Sequence, residues 1–95
     1  MQAAGAFAVV LEMVPADVAK RVTGELVIPT IGIGAGPDTD AQVLVWSDLA
    51  GMNRGRKPRF VKQYADLGEI LLGAARTYAD EVRAGSYPDA EHSYT

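Results

Sequence analysis

The fold of the chain is decided by residues 6–33, which read AFAVVLEMVPADVAKRVTGELVIPTIGI. Two apolar runs, at 6–12 and 27–33, flank a more polar segment. Apolar runs without polar alternation are typical of strands covered on both faces, as in a parallel sheet. We therefore predict strands at 6–12 and 27–33, with a helix at 16–25 between them.

The helix prediction rests on its start and on its spacing. Pro15 suits the beginning of a helix, and Asp17 complements the positive end of the helix dipole. Val18, Val22 and Leu26 then recur every four residues, which marks one buried helical face. This segment is therefore expected to pack one side against the two strands.

Further along the chain, the pattern predicts a third short strand at 43–46, a long helix at 66–84 and a polar tail at 86–95. Strands that alternate with helices predict an α/β fold with a parallel sheet. Three strands in 95 residues match about three eighths of a (β/α)8 barrel of about 250 residues. We therefore predict a single partial barrel domain, whose open strand edges favour aggregation or pairing.

Composition excludes several classes of protein. The net charge is −3, whereas nucleic-acid binding usually needs a basic surplus. The chain has no cysteine, so it has neither disulfides nor a thiolate nucleophile. Its longest apolar run has six residues, far short of the roughly 20 of a membrane span. We expect a cytoplasmic protein without a signal peptide that acts on small molecules rather than on nucleic acid or membranes.

Glu12 is the candidate catalytic residue. It directly follows an unbroken apolar run, at the predicted end of the first strand. In barrel enzymes the catalytic residues lie at the C-terminal ends of strands. A glutamate that caps the following helix, or pairs with a base on the surface, would stand at the same position. Position alone therefore does not decide between a catalytic and a structural Glu12.

Gly34 and Gly36 are candidates for a substrate-binding loop. They lie in Gly32-Ile33-Gly34-Ala35-Gly36, where glycine allows a close approach of the backbone to a ligand. The motif is not a dinucleotide fingerprint, because no third glycine opens a following helix and position 37 is proline. A tight strand-to-turn transition explains the same glycines and is slightly favoured.

Other polar groups have more ordinary explanations. Asp38, Asp40 and Asp48 lack the remaining ligands of a calcium loop, and aspartates in turns usually form local hydrogen bonds. His92, the only histidine, lies in the polar tail and is taken as incidental. A basic segment is interpreted as a solvated loop, with attraction of an anionic substrate or an acidic subunit as the alternative. It contains Arg54, Arg56, Lys57, Arg59 and Lys62.

Several segments carry a family resemblance when they are taken in order. They are FAVVLEMVP at 7–15, IPTIGIGAG at 28–36, QVLV at 42–45, DLAG at 48–51, PRFVK at 58–62 and the ending at 87–94. The ordered set resembles the ketopantoate hydroxymethyltransferase family and covers nearly the whole chain. Ala41 departs from the glycine expected between the aspartate and the glutamine, which affects a turn rather than the chemistry.

The resemblance implies strands six to eight of a (β/α)8 barrel. It implies transfer of a hydroxymethyl group from 5,10-methylenetetrahydrofolate to 3-methyl-2-oxobutanoate, which gives 2-dehydropantoate in pantothenate synthesis. It also implies that Glu12 is the proton-transfer residue and that Mg²⁺ stabilises the enolate of the keto acid. The metal ligands of the family lie on earlier strands, so none is assigned here, and this chain alone is expected to be inactive.

The resemblance further implies a large homo-oligomer whose C-terminal helices pack between subunits, a role that fits the helix at 66–84. Two alternatives remain open. One is another barrel enzyme that acts on 2-keto acids. The other is a truncated, non-catalytic subunit that associates through its strand edges and its C-terminal helix.

Overall fold

The two apolar runs form neighbouring parallel strands, and the segment between them forms a helix. In the computed structural model, which describes all 95 residues, β1 spans Val9–Glu12, α1 spans Ala16–Glu25 and β2 spans Thr30–Ile33. β1 and β2 pair in parallel, so that Glu12 lies opposite Ile33. α1 has the predicted bounds. The remaining elements are a 3-10 helix at Gln2–Ala4, β3 at Ala41–Gln42, α2 at Trp46–Leu49 and α3 at Leu67–Ala84.

Both of the first two strands begin three residues later than predicted. The backbone N–H groups of Val27 and Ile28 donate to the Gln2 side-chain oxygen, at 2.7 and 3.1 Å, instead of to a neighbouring strand. Pro29 has no N–H to donate, and the first ladder bond runs from the N–H of Val9 to the Pro29 carbonyl at 3.0 Å. The sheet therefore starts only beyond the proline.

The prediction of a strand at 43–46 is wrong. The third strand is β3, which comes before this segment and pairs in parallel with β2. One more hydrogen bond extends the ladder, from the N–H of Val43 to the carbonyl of Gly32 at 3.0 Å. β2 then turns out of the sheet at Gly34, where φ is 66°. The following residues consequently have no strand to pair with, and the chain enters α2 at Trp46.

α3 begins one residue later than predicted and ends at the predicted residue. Gly85 follows it in the left-handed conformation that commonly closes a helix. Asp66 is the N-cap residue, but its side chain makes no capping hydrogen bond. Glu69, which stands at the capping-box position, instead pairs with Arg54 at 2.7 Å. That ion pair joins the basic segment to the start of α3.

The small core lies between α1 and one face of the sheet. Ala19 and Thr30 are fully buried there, and the hydroxyl groups of Thr23 and Thr30 are hydrogen-bonded at 2.8 Å across the layers. Since paired residues of parallel strands share a face, buried Val9 lies on this same side of the sheet. The opposite face is not covered by any helix of the chain, and Val10 on it is 56% exposed.

Most of the chain covers little of its own surface. Only 7 of 95 residues are buried, and none of them lies on α3. The radius of gyration is 22.0 Å, whereas a compact domain of this length would have about 12 Å. The molecule measures 66 × 30 × 16 Å. No helix has the length and apolar character needed to span a membrane.

We expect the purified 95-residue chain to self-associate instead of behaving as a compact monomer. The uncovered sheet face and the apolar stripe of α3 expose large side chains, including Val10, Ile70 and Leu71, and such surface favours association. Size-exclusion chromatography with light scattering should give a mass well above the 10.1 kDa of one chain. A compact 10.1 kDa monomer that unfolds cooperatively in circular dichroism would contradict this expectation.

Candidate functional site

Glu12 ends β1 and has an exposed side chain. It shares a sheet face with Val10, because side chains alternate along a strand, and this is the face without a covering helix. The carboxylate makes no hydrogen bond and no ion pair in the structure. Glu12 therefore neither caps α1 nor forms the surface ion pair that the structural interpretation proposed. Its carboxylate is free to reach a ligand on the open face.

The residue after Glu12 holds an unusual backbone conformation. Met13 has a φ of 53°, the only positive φ outside glycine in the chain. A methionine in the left-handed region costs about 1–3 kcal/mol, and such strained residues cluster at functional sites. The N–H of Met13 still donates to the carbonyl of Ile33 at 2.9 Å, so the strain falls directly where β1 leaves the sheet. This signal cannot be read from the sequence.

A cleft of about 650 Å³ is lined in part by the residues that directly follow Glu12. Three segments form it: the loop after β1, the loop after β2 and the connection between α2 and α3. Its volume is within the range of about 300–1,000 Å³ that is common for small-molecule sites. Glu12 does not itself line the cleft but directly precedes a residue that does. The lining residues are Met13, Val14, Pro15, Ala16, Gly34, Gly36, Arg59 and Phe60.

The two predicted glycines shape this cleft by close packing. Gly34 has a φ of 66°, and a Cβ added to it would lie 2.6 Å from the Phe60 ring. Gly36 has a φ of 76°, and its added Cβ would lie 2.5 Å from the Cβ of Ala16. Any larger residue would therefore meet both backbone strain and a collision. These glycines satisfy the tight-turn explanation while also lining the cleft.

Asp40 fixes the loop that carries both glycines. Its carboxylate accepts hydrogen bonds from the N–H and the hydroxyl of buried Thr30, at 2.8 and 3.2 Å, and its own N–H donates back to that hydroxyl at 3.2 Å. The side-chain amide of Gln42 donates to the carbonyl of Gly36 at 2.8 Å. The loop between β2 and β3 is thus anchored at Gly36 and at Asp40.

Neither the aspartates nor the histidine forms a metal site. No group of three histidine, aspartate or glutamate side chains is placed to hold a metal ion. Asp38 lies 4.0 Å from Lys20, and Asp48 accepts a hydrogen bond from Asn53. His92 lies 2.6 Å from Asp89, three residues before it in the tail. Asp48 makes the local contact expected of turn aspartates, whereas Asp40 bonds to Thr30 ten residues away and Asp38 only approaches Lys20.

The basic segment is exposed, and part of it faces the cleft. The Lys57 ammonium donates to the Gln63 side chain, and that of Lys62 lies 4.9 Å from the centre of the Tyr64 ring. Arg59 has no ion pair and is the only charged residue that lines the cleft. A solvated loop accounts for most of this segment but not for the position of Arg59.

Comparison with known proteins assigns the family. Residues 1–90 match the sequence model of ketopantoate hydroxymethyltransferase. The chain belongs to this family. Proteins named 3-methyl-2-oxobutanoate hydroxymethyltransferase are 69% identical over 94 residues in Saccharopolyspora erythraea, 68% over 94 residues in Frankia alni and 62% over 93 residues in Streptomyces coelicolor. The family is one of transferases, as the sequence predicted.

The chain matches only part of these relatives. The alignments cover 98–99% of the chain but 31–32% of the three relatives, so the chain spans about a third of their length. This agrees with the small fraction of buried residues, and with a three-stranded parallel sheet that leaves one face open.

Two of the three predicted site residues, Gly34 and Gly36, line the same cleft, and the third, Glu12, directly precedes the lining residue Met13. Their catalytic and substrate-binding roles stay predictions. Arg59 and Phe60 were missed as cleft residues, because they lie far along the chain in a glycine-containing loop. The available signals were their place in the segment PRFVK, which is part of the family resemblance, and, for Arg59, the basic segment with its alternative role of attracting an anionic substrate.

We expect Gly36→Ala to destabilise the protein by about 1–3 kcal/mol, because the added methyl group meets Ala16 and the backbone has a positive φ. The change is best made in a chimera in which the matched 94 residues of this chain replace their counterpart in the Saccharopolyspora erythraea enzyme. Urea unfolding measures the free energy of unfolding.

Gly73→Ala is the matched control for this substitution. Gly73 lies inside α3 with open space around its Cα, so alanine should raise helix stability by about 0.5–1 kcal/mol. A loss of stability in Gly73→Ala equal to that in Gly36→Ala would contradict the role assigned to the Gly36 contact.

Proposed function

We propose that this chain takes part in hydroxymethyl transfer from 5,10-methylenetetrahydrofolate to 3-methyl-2-oxobutanoate, which gives 2-dehydropantoate, and that Glu12 is its proton-transfer residue. The observation that carries the proposal is the position of Glu12: a free carboxylate at the carboxyl end of a parallel strand, directly before the cleft residue Met13, in a chain that matches this family over residues 1–90. The names of its relatives supply the substrate.

The arrangement of the cleft supports an active site at this edge. Its walls come from the segments that follow β1 and β2, so they lie at the carboxyl ends of parallel strands. Active sites of barrel enzymes are built from the loops at that end of the strands. The proposed role of Glu12 thus uses the edge of the sheet where barrel enzymes place their chemistry.

Glu12 would act on the hydrogen at C3 of the keto acid. Its carboxylate takes the C3 proton, which leaves an enolate whose C3 carbon forms the new bond to the one-carbon unit. Overall, the keto acid, methylenetetrahydrofolate and water give 2-dehydropantoate and tetrahydrofolate, with water supplying the hydroxyl group. A positioned base contributes about 10²–10⁴-fold to such a proton transfer.

We further propose that the chain supplies strands six to eight of a (β/α)8 barrel. In a barrel the helices cover the outside of the sheet, and the inner face meets other strands. α1 covers one face here, while Glu12 and Val10 lie on the uncovered face, which would then be the inner one. Self-association of complete subunits through the apolar stripe of α3 is part of the same proposal, because that stripe has no partner within the chain.

Mg²⁺ has no ligand set among these residues. The chain lacks a cluster of three side chains that could hold the ion, so a metal in the complete enzyme would bind to residues outside the matched third. We therefore propose that the isolated chain is inactive. No step assigned to Glu12 depends on a metal ligand from this segment.

We expect Glu12→Gln to reduce turnover by about 10²–10⁴-fold in the chimera, because glutamine keeps the shape of the side chain but cannot accept the proton. Exchange of the C3 hydrogen of 3-methyl-2-oxobutanoate with solvent deuterium, followed by proton NMR, should fall by a similar factor. This exchange isolates the proton-transfer step from transfer of the one-carbon unit.

Glu25→Gln is the matched control, since Glu25 ends α1 and pairs only with Arg21 on the surface, at 2.9 Å. Its exchange rate should stay within about twofold of the parent, as surface ion pairs contribute little. Undiminished exchange in a folded Glu12→Gln chimera would reject Glu12 as the base.

A further inference from the structure

Arg59 differs from every other cation of the chain in where it lies. Of the nine lysines and arginines, it alone lines the cleft, and no carboxylate of the chain pairs with it. An arginine presents a planar array of donors that matches a carboxylate in two parallel hydrogen bonds. An unpaired guanidinium at a cleft is therefore suited to an anionic ligand.

The remaining walls of the cleft are largely apolar. Met13, Val14, Pro15 and Phe60 contribute hydrocarbon or aromatic surface. Sites with apolar walls and few polar groups hold ligands with an apolar body and one or two fixed polar ends. The lining of the cleft therefore fits a ligand with an apolar or aromatic part and a carboxylate end.

The distribution of charge along the chain also favours an anionic ligand. Residues 54–62 contain five cations and no acidic residue, whereas the rest of the chain contains four cations and twelve acidic residues. The positive charge is thus concentrated in the segment that carries Arg59 to the cleft. Such a concentration attracts anions toward the site and raises their rate of encounter.

We propose that the cleft binds the p-aminobenzoyl-glutamate part of the folate co-substrate, with Arg59 pairing with a glutamate carboxylate. This inference rests on the proposed function. The aromatic ring of the ligand lies against the apolar walls, which include Met13, the residue after Glu12. Arg59 is then a residue that determines specificity for the folate and not for the keto acid.

The test compares Arg59→Gln with Arg76→Gln in the chimera. Arg76 is an exposed arginine of α3 without an ion pair, so its change removes the same charge far from the cleft. Arg59→Gln should raise the KM for methylenetetrahydrofolate and the Kd for tetrahydrofolate about tenfold or more, since a charge-assisted hydrogen bond is lost. The KM for 3-methyl-2-oxobutanoate and the kcat should stay within about twofold, and Arg76→Gln should change none of these constants.

The amide of tetrahydropteroate, which carries neither the glutamate nor a free benzoate carboxylate, supplies the decisive comparison. Its Kd, measured by calorimetry, should be the same for the parent chimera and for Arg59→Gln, because the partner carboxylate is missing. An equal loss of binding of the tetrahydropteroate amide, or a rise confined to the KM of the keto acid, would overturn the inference. Arg59→Lys, which keeps the charge, should recover part of the affinity for tetrahydrofolate.

Different results with the chimera would contradict the role of Arg59 and the proposed hydroxymethyl transfer. A chimera that transfers the hydroxymethyl group but binds tetrahydrofolate equally well in Arg59→Gln contradicts the inference alone. A chimera that cannot transfer the group, yet binds tetrahydrofolate through Arg59, contradicts the proposed function and supports the inference. A chimera that neither turns over nor binds tetrahydrofolate contradicts both.

Discussion

Thr30 makes the hydrogen bonds on which the arrangement of the whole site depends. It is fully buried, and it binds Thr23 of α1 on one side and Asp40 on the other. A single residue therefore joins the helix, the second strand and the loop that leads to β3. Because buried polar groups are costly when unpaired, this arrangement has little freedom to shift. The loop carrying Gly34 and Gly36 is held against the sheet as a result.

The two faces of the sheet serve different purposes. The face toward α1 holds the small core around Ala19 and Thr30, whereas the other carries Glu12 and has no helix over it. A strand whose side chains alternate between a packed face and an open one can combine rigidity with an accessible carboxylate. The strained backbone at Met13 then directs the chain from the carboxylate to the cleft.

Sequence patterns predicted the elements whose bounds depend on interactions between residues close together in the chain. The helix Ala16–Glu25 follows from its start signals and its spacing, and the end of α3 follows from Gly85. The third strand was misplaced, because an apolar run forms a strand only where a neighbour offers backbone partners, and Gly34 removes that neighbour. Arg59 was missed for a related reason, since contacts between distant segments leave no periodic pattern.

The contact between Gly36 and Ala16 limits how this site can diverge. The two residues lie so close that a side chain at position 36 would collide with Ala16, and residues in such contact respond jointly to substitution. Substitutions at this end of the cleft are therefore restricted, both in natural variation and in redesign. Phe60 packs against Gly34 at the other end, so a smaller side chain at position 60 would deepen the cleft.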